Sequence, residues 1–281
     1  MKPHADERVR KITSRHNPLV RQARAVRDGK EPGLIFVEGL RLCAEAVNAS
    51  LQVETALYTE RIALAEHGVQ LLAELRSAGT PTFELSESVL AYIADTDSPQ
   101  GLVLLAHRPH TDRSTLEATA AQTPLVVIMH GVNNPANAGA MLRVAEAAGA
   151  TGVIATAGTV NLFAPKSLRG AMGSAFRLPL WTGAALSEAL DWCAARGIVT
   201  VATDLRAAET HTDLDWTTPR ALIMGAEARG LTAQESAAAA TRIRIPMRPP
   251  VESLNVATAL AVVLYEAARQ RERQMASGSK A

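Results

Sequence analysis

The sequence lacks long apolar runs and contains few cysteines and aromatic residues. No run approaches the ~18 residues of a membrane-spanning helix, and the polar, basic start predicts no secretory signal. Aromatic residues make up 4% of the chain against 47% hydrophobic residues, so Ala, Val, Leu and Ile must form most of the core. Cys43 and Cys193 lie far apart, without partners at metal-ligand spacing. These absences predict a reduced, cytoplasmic protein without a membrane segment or a metal site.

Charge is nearly balanced over the chain but uneven along it. The formal net charge is +1, whereas residues 1–30 contain nine lysines and arginines against three acidic residues, a net charge of +6. A local basic segment suits a protein that binds phosphate, because phosphate contacts dominate affinity for nucleic acids. A solvated basic helix explains the same charges equally well.

Hydrophobic patterning divides the 281 residues into two α/β sets, as the length allows. Strands alternating with helices up to residue 106 predict a small α/β sandwich, and the polar stretch 107–123 predicts a linker. The strands expected in the first set are 34–39, 53–58, 82–85 and 101–106. The helices expected there are 17–28, 40–49, 60–78 and 86–93.

The second set begins with PLVVIMHG (124–131), a continuous apolar run typical of a buried parallel strand. The pattern predicts an open, mostly parallel sheet with helices on both faces, in which ligands bind beyond the carboxyl ends of the strands. The further strands expected are 152–156, 197–203 and 220–225, and the helices are 137–149, 165–174, 184–196 and 254–270.

Several common catalytic motifs are absent. No GxGxxG follows the first strand of the second set, which argues against a nucleotide-dependent oxidoreductase on a doubly wound sheet. Walker A, GxSxG and HExxH motifs are also missing. What the sequence has instead is three polar clusters, each near the carboxyl end of an expected strand.

The first cluster is NNPANAGAMLR (133–143). Asn137 is placed to cap a helix, Gly139 permits close backbone approach, and Arg143 lies near the second turn of the same helix. As an isolated motif, it is more often an ordinary cap followed by a surface cation.

The second and third clusters are IMGAEARGL (223–231) and IPMRPPVESLN (245–255). Glu227 follows a strand that ends in glycine, where an acid in a first helical turn would also be favoured by the helix dipole. Ser253 precedes a strongly apolar helix, so taken alone it is better explained as an N-cap than as part of a site.

In this order and spacing, the clusters resemble the three motifs of the SpoU/TrmH family of RNA ribose 2′-O-methyltransferases, in the SPOUT superfamily. NAGAMLR matches NxGxxxR, GAEARGL matches GxExxGL, and the segment from IPM to SLN matches the third motif. PKSLRGAMGSAFRLP (165–179) resembles the middle segment of the family. FVEG (36–39) and SPQGLVLLA (98–106) resemble the entry and exit of its RNA-binding domain.

The resemblance implies a small ribosomal-protein-like α/β domain (1–106) that binds RNA substrate, and the linker 107–123. It further implies a mostly parallel, trefoil-knotted α/β methyltransferase domain (124–281). Backbone groups of the knot would bind S-adenosylmethionine without a glycine fingerprint. The cofactor-binding residues implied are Met224, Gly225, Gly230, Ile245, Met247 and Leu254.

The resemblance also implies a reaction in which a ribose 2′-hydroxyl attacks the sulfonium methyl. A guanidinium is a poor base, so Arg143 is expected to polarise the hydroxyl and grip the adjacent phosphate. Glu227 is expected to orient Arg143 or Asn137 by a charge-assisted hydrogen bond. Ser253 and Asn255 would face the reacting centre.

The partner implied is structured RNA, with ribosomal RNA favoured over transfer RNA. The alternatives are ribose methylation of transfer RNA, methylation of a base, or a non-catalytic RNA-binding protein of the same fold. A homodimer is expected through the last helix, with Val262, Val263 and Tyr265, although intramolecular packing explains these residues equally well. The RNA contacts expected are Arg15, Arg21, Arg24 and Arg169.

Overall fold

The computed structural model describes residues 11–117, 123–227 and 229–278. Lys2, Arg8 and Arg10 of the basic segment, and residues 118–122 of the expected linker, lie outside this part. The chain forms two compact units, Met1–Pro109 with Phe163–Phe176, and His110–Leu162 with Arg177–Ala281. The expected α/β class is confirmed.

Strands and helices alternate along most of the chain, apart from the helix pairs at 60–77 and 165–177 and three consecutive strands between 199 and 224. The strands are β1 (Leu34–Glu38), β2 (Val53–Thr59), β3 (Thr82–Leu85), β4 (Leu102–His107), β5 (Leu125–Met129), β6 (Gly152–Thr156), β7 (Leu180–Ala184), β8 (Val199–Thr203), β9 (Glu209–Thr210), β10 (Arg220–Met224) and β11 (Thr241–Arg244). The helices are α1 (Pro18–Arg27), α2 (Leu40–Asn48), α3 (Glu60–Leu64), α4 (Glu66–Ser77), α5 (Glu87–Ile93), α6 (Arg113–Glu117), α7 (Pro135–Ala147), α8 (Pro165–Ala171), α9 (Ser174–Arg177), α10 (Leu186–Ala194), α11 (Ala233–Ala237) and α12 (Val256–Gly278).

The first unit is built on a four-stranded sheet in the order β1-β4-β2-β3. Strand β4 is antiparallel to both β1 and β2, and β3 is parallel to β2. Helices α1 and α5 cover one face with apolar side chains because α1 presents Val20, Ala23 and Val26 at helical spacing. Pro18 at the first helical position and the Asn17 side chain, which accepts from the Leu19 amide, fix where α1 begins.

The single helix expected over 60–78 is wrong, because the chain bends at Ala65 and forms α3 and α4. Close packing explains the bend. A Cβ added at Gly68 would lie 2.2 Å from the carbonyl oxygen of Ile62, so only glycine allows α4 to approach α3 in this way.

The second unit is built on a seven-stranded sheet in the order β7-β6-β5-β10-β8-β11-β9, with neighbouring strands parallel. The order places β10 beside β5, with Met224 opposite Met129 at their carboxyl ends. Strand β5 is buried along its whole length, as its apolar run predicts. The first two motifs are therefore carried by the carboxyl ends of adjacent strands, and the third follows β11, which β8 separates from β10.

Three strands, β7, β9 and β11, are absent from the prediction, and the stretch expected as a linker contains α6. The expected helix 184–196 begins only at Leu186, because residues 180–184 pair with β6. The expected helix 165–174 ends at Ala171, where Met172 takes a left-handed backbone conformation. The expected helix 254–270 begins at Val256 and continues to Gly278. Within the described residues, no helix is long and apolar enough to cross a membrane.

The last helix is fixed to the loop between β9 and β10 by a polar network around Glu266. Gln270 accepts from the amide of the buried Trp216 at 2.9 Å and donates to Glu266 at 2.8 Å. Arg269 donates two hydrogen bonds to Glu266, at 2.6 and 2.7 Å. The hydrogen bonds from Arg269 lower the pKa of Glu266 to about 2, and the bond from Gln270 adds to this effect.

We expect Glu266→Gln to reduce the free energy of unfolding by about 1 kcal/mol at pH 7, since solvent screens the contact with the half-exposed Arg269. A lowered carboxyl pKa stabilises the fold above the unfolded-state value. The difference between the two proteins should therefore shrink as pH falls from about 4.5 towards 2. Urea unfolding of both proteins across this range measures it, and a difference independent of pH would contradict the ionic origin.

Candidate active site

The three sequence clusters lie in the second unit, where β5, β10 and β11 end and α12 begins. The first cluster forms the loop after β5 and the start of α7. The second forms a turn after β10, in which the Gly230 amide donates to the Ala226 carbonyl at 2.8 Å. The third is the irregular segment between β11 and α12.

Glu227 links the second cluster to the first. Its carboxylate accepts from the backbone amides of Asn133 at 3.3 Å and Asn134 at 3.2 Å, and from the side-chain amide of Asn137 at 3.2 Å. Partial burial opposes ionisation. The hydrogen bonds from the Glu227 amide, from Asn137 and from the two loop amides outweigh it and lower the pKa of the carboxyl group. Glu227 is therefore an ionised acceptor at neutral pH.

Asn137 links the first cluster to the third. Its side-chain oxygen accepts from the side-chain amide of Asn255 at 3.1 Å, while its own amide donates to Glu227. The Asn255 oxygen accepts from the amides of Ala257 and Thr258 at the start of α12. Glu227, Asn137 and Asn255 thus form one hydrogen-bonded chain across all three motifs.

Both helix caps differ from the expectation. The N-cap of α7 is Asn134, not Asn137, because Pro135 occupies the first helical position and starts the helix two residues early. The cap of α12 is Asn255, not Ser253. These shifts have a functional consequence, since they release the Asn137 side chain to join Glu227 and Asn255.

We expect Glu227→Gln to lower kcat/KM by ~10- to 100-fold, since a hydrogen bond to a charged group contributes about 1.5–3 kcal/mol. A glutamine would turn an NH₂ group towards donors that need an acceptor. A single-turnover assay of the methyl transfer that the motif resemblance implies measures the loss. Glu146→Gln is the matched control. Glu146 also lies on α7, but it forms an ion pair with Arg177 and does not belong to the hydrogen-bonded chain of Glu227, Asn137 and Asn255. Equal rates for the two variants would remove the Glu227 charge from the mechanism.

Arg143 lies on α7 and is exposed. Its guanidinium makes no hydrogen bond or ion pair with the residues that the structure describes. Of the two partners expected for Glu227, the structure brings Asn137 to it and not Arg143. Arg143 is thus a cation whose donors remain available to an external anion.

A cavity of about 310 Å³ lies beside this network, within the second unit. Its lining contains all the residues expected to bind cofactor, together with Glu227 and Ser253. The expected cofactor residues in the lining are Met224, Gly225, Gly230, Ile245, Met247 and Leu254. Ile245, Met247 and Leu254 lie outside helices and strands, so secondary structure does not use their peptide groups.

The lining suits S-adenosylmethionine. Apolar side chains such as Met224, Ile243 and Val256 offer an adenine surface, and the irregular backbone offers donors and acceptors. Two carboxylates, Asp204 and Glu227, border the cavity and complement a ligand with positive sulfonium and ammonium groups. A hydrogen bond from the Arg206 amide contributes most to the lowered pKa of Asp204, so this carboxyl group is also ionised.

The sequence prediction missed part of this lining. Thr203 ends β8, Asp204 and Leu205 follow it, and Arg229 stands in the second motif. The signal was present for Thr203 and Asp204, since polar residues at the carboxyl end of a parallel strand mark a ligand edge. Among the described residues, no cluster of His, Cys, Asp and Glu could hold a metal ion.

The arginines expected to contact RNA differ in their environment within the first unit. Arg21 is exposed, and Arg15 lies 4.8 Å from the centre of the Tyr92 ring. Arg24 packs 4.4 Å over the same ring and donates to the Tyr92 hydroxyl. Arg169 pairs with Asp95 at 2.7 Å. Arg24 and Arg169 are therefore partly engaged in intramolecular contacts.

Comparison with known proteins follows the same division of the chain. Residues 124–265 match the SpoU rRNA Methylase family, and residues 10–104 match an MRM3-like substrate binding domain. An uncharacterized tRNA/rRNA methyltransferase of Synechocystis is 32% identical, over 94% of this chain and 95% of its own. The 23S rRNA (uridine(2479)-2′-O)-methyltransferase of Streptomyces viridochromogenes is 30% identical, over 94% and 93%.

Solved structures show the same fold. The SpoU methyltransferase AviRb from Streptomyces viridochromogenes, in complex with AdoMet, has a TM-score of 0.82 and 29% identity, over 91% of this chain and 98% of its own. An AdoMet-bound rRNA methyltransferase from Sinorhizobium meliloti has a TM-score of 0.81 and 29% identity, over 92% and 97%. Fold and site thus define an S-adenosylmethionine-dependent methyltransferase. The chain belongs to the SpoU rRNA methylase family.

Proposed function

We propose that this enzyme transfers the methyl group of S-adenosylmethionine to a ribose 2′-hydroxyl of ribosomal RNA. The observation that carries the proposal is the chain from Glu227 through Asn137 to Asn255, which joins the three motifs at the edge of the cavity. Relatives named as 23S rRNA 2′-O-methyltransferases support ribosomal RNA as the substrate.

Arg143 has the features needed to act on the substrate hydroxyl. S-adenosylmethionine supplies a methyl group made electrophilic by the positive sulfur. The free guanidinium of Arg143 donates to the 2′-oxygen and to the adjacent phosphate, which fixes the nucleophile beside the cavity. Arg143 cannot accept the proton at neutral pH, so the adjacent phosphate assists its removal.

The remaining motif residues position this reaction. The Glu227 carboxylate holds the loop before α7 through Asn133 and Asn134, while Asn137 joins α7 to α12. Ser253 lines the cavity on the side where α12 begins. Each of these contacts lowers the entropy lost when the site is ordered for transfer.

We further propose a trefoil knot, a homodimer and a cytoplasmic location. The knot would thread the chain after about residue 220 through a loop, which accounts for one cavity lined by residues from 224 to 230, 243 to 247 and 253 to 259. Val262 and Tyr265 are exposed on α12 and available to a second copy, whereas Val263 is buried within the unit. Cys43 and Cys193 are free thiols, which suits a reducing compartment.

The test is incubation with methyl-labelled S-adenosylmethionine and unmodified 23S, 16S and transfer RNA, followed by alkaline digestion. A 2′-O-methyl group blocks cleavage at the next phosphate, so the proposal predicts label in alkali-resistant dinucleotides from ribosomal RNA. Label in mononucleotides would show base methylation. Labelled dinucleotides from transfer RNA alone would show that transfer RNA, and not ribosomal RNA, is the substrate. Arg143→Ala protein, purified identically, controls for a contaminating methyltransferase.

A further inference from the structure

A second polar network lies on the other side of the turn that carries Glu227. His130 directly follows β5, and its imidazole Nε2 lies 3.0 Å from the Oε1 atom of Glu235. The Nδ1 atom lies 2.9 Å from the hydroxyl of Thr156, at the end of β6. The His130 side chain is 14% exposed and that of Glu235 is 22% exposed, so both are largely shielded from water.

Glu235 connects this imidazole to the start of α11. Its Oε2 atom accepts from the amide of Thr232 at 2.7 Å, and the Thr232 hydroxyl accepts from the Glu235 amide at 3.2 Å. This reciprocal capping box fixes Thr232, which directly follows the second motif. The imidazole therefore holds the far end of the turn through one carboxylate.

His130 also holds the near end of the turn. Its backbone amide donates to the Met224 carbonyl, the last residue of β10, at 2.8 Å. One residue thus contacts both ends of the segment between Met224 and Thr232. Gly225, Glu227 and Gly230 lie between those ends and line the cavity.

Glu235 is ionised at neutral pH, which favours its contact with the imidazole of His130. The hydrogen bond from the Thr232 amide, helped by His130, lowers the pKa of Glu235 to about 2. An ionised carboxylate only accepts hydrogen bonds, so Nε2 must carry the proton in this contact. The Thr156 hydroxyl holds the second ring nitrogen and so fixes the orientation of the ring.

We propose that His130 and Glu235 are positioning residues that close the second-motif turn around S-adenosylmethionine and thereby set the affinity for the cofactor. The inference rests on the proposed function only through the identity of this ligand. Neither side chain lines the cavity, so they act through the turn. The rival role is purely structural, in which the pair stabilises the fold without affecting the ligand.

The test is calorimetric titration of full-length variants with S-adenosylmethionine at pH 7, with thermal melts recorded in parallel. We expect His130→Ala and Glu235→Gln each to raise Kd about 10-fold, since the first removes the hydrogen bond to the ionised carboxylate and the second removes the charge and leaves one acceptor for two donors. Both single changes act on the same contact, between His130 and Glu235. The double variant should therefore bind no more than about twofold more weakly than either single variant.

Two further variants separate positioning from general stability. His130→Gln keeps a side-chain N–H donor for Glu235 and should restore Kd to within about threefold of the wild type. Glu117→Gln removes an ion pair with Arg196 in the same unit and should leave Kd unchanged. In steady-state transfer, KM for the cofactor should follow Kd, while kcat at saturation changes by less than about threefold.

The outcomes distinguish this inference from the proposed function. Unchanged Kd in both His130→Ala and Glu235→Gln, whatever their melting temperatures, would overturn the positioning role and leave the methyltransferase assignment intact. Additive losses in the double variant would also overturn it, because the two residues would then act separately. If the wild-type protein bound no S-adenosylmethionine, the assignment of this cofactor, and with it the proposed function, would be overturned.

Discussion

Arg143→Ala is expected to reduce kcat for methyl transfer by at least ~100-fold, the range found when a charge-stabilising donor is removed from an active site. The physical reason is that Arg143 is exposed and unpaired within the described residues, so its donors are free to bind the substrate. The same observation predicts little cost in stability. The melting temperature and the Kd for S-adenosylmethionine should stay at wild-type values.

Two variants sharpen this prediction. Arg143→Lys keeps the positive charge but loses the planar fork that contacts two oxygens together, so it should recover only part of the rate. Arg113→Ala removes an exposed arginine from the same unit and should have full activity. Single-turnover assays with saturating cofactor report the chemical step. A normal rate for Arg143→Ala would mean that another group polarises the 2′-hydroxyl of the substrate.

The fold could be predicted from the sequence mainly where burial is strong. Strand β5 is apolar along its whole length, and α1 shows a clear helical period, so both were predicted within two residues. Strands β7 and β11 were missed because they are only partly buried, with Gly183 inside the first and alternate polar residues in the second. In such strands, pairing partners decide the structure more than local pattern does.

The site was predictable as a set of residues but not as a network. The motifs identified Asn137, Glu227 and Asn255, yet their contacts join positions separated by 90 and 118 residues, which local pattern does not encode. The exchange of caps between Asn134 and Asn137 depends on where Pro135 starts α7. His130 gave no signal in the sequence because its partners come from two other elements.

The same limit applies to the basic residues. Charge alone made Arg21 and Arg24 equivalent on α1, but Arg24 points to Tyr92 in the first unit, whereas Arg21 is exposed. Which arginines can reach RNA therefore depends on contacts with α5, an element far away in sequence. We therefore propose Arg21 as the RNA contact on α1.

Gly225→Ala is expected to raise the Kd for S-adenosylmethionine by at least ~100-fold, equivalent to about 2.8 kcal/mol. A Cβ at this position would lie 2.5 Å from the carbonyl carbon of Gly230 and 2.6 Å from the amide nitrogen of Leu231. These are backbone atoms, so a side-chain rotation cannot relieve the clash, and the turn must open. Opening it moves the wall of the cavity and the start of the segment that carries Glu227.

Gly33→Ala is the matched control, because nothing lies within 4 Å of its Cβ position and its backbone is not left-handed. Calorimetric titration of both variants, with circular dichroism to show that each is folded, measures the effect. Wild-type affinity in a folded Gly225→Ala protein would mean that the turn after β10 can move without cost to the ligand. The cofactor would then have to be held by the segment from Ile245 to Leu254. The positioning role of His130 and Glu235, which acts through this turn, would also be contradicted.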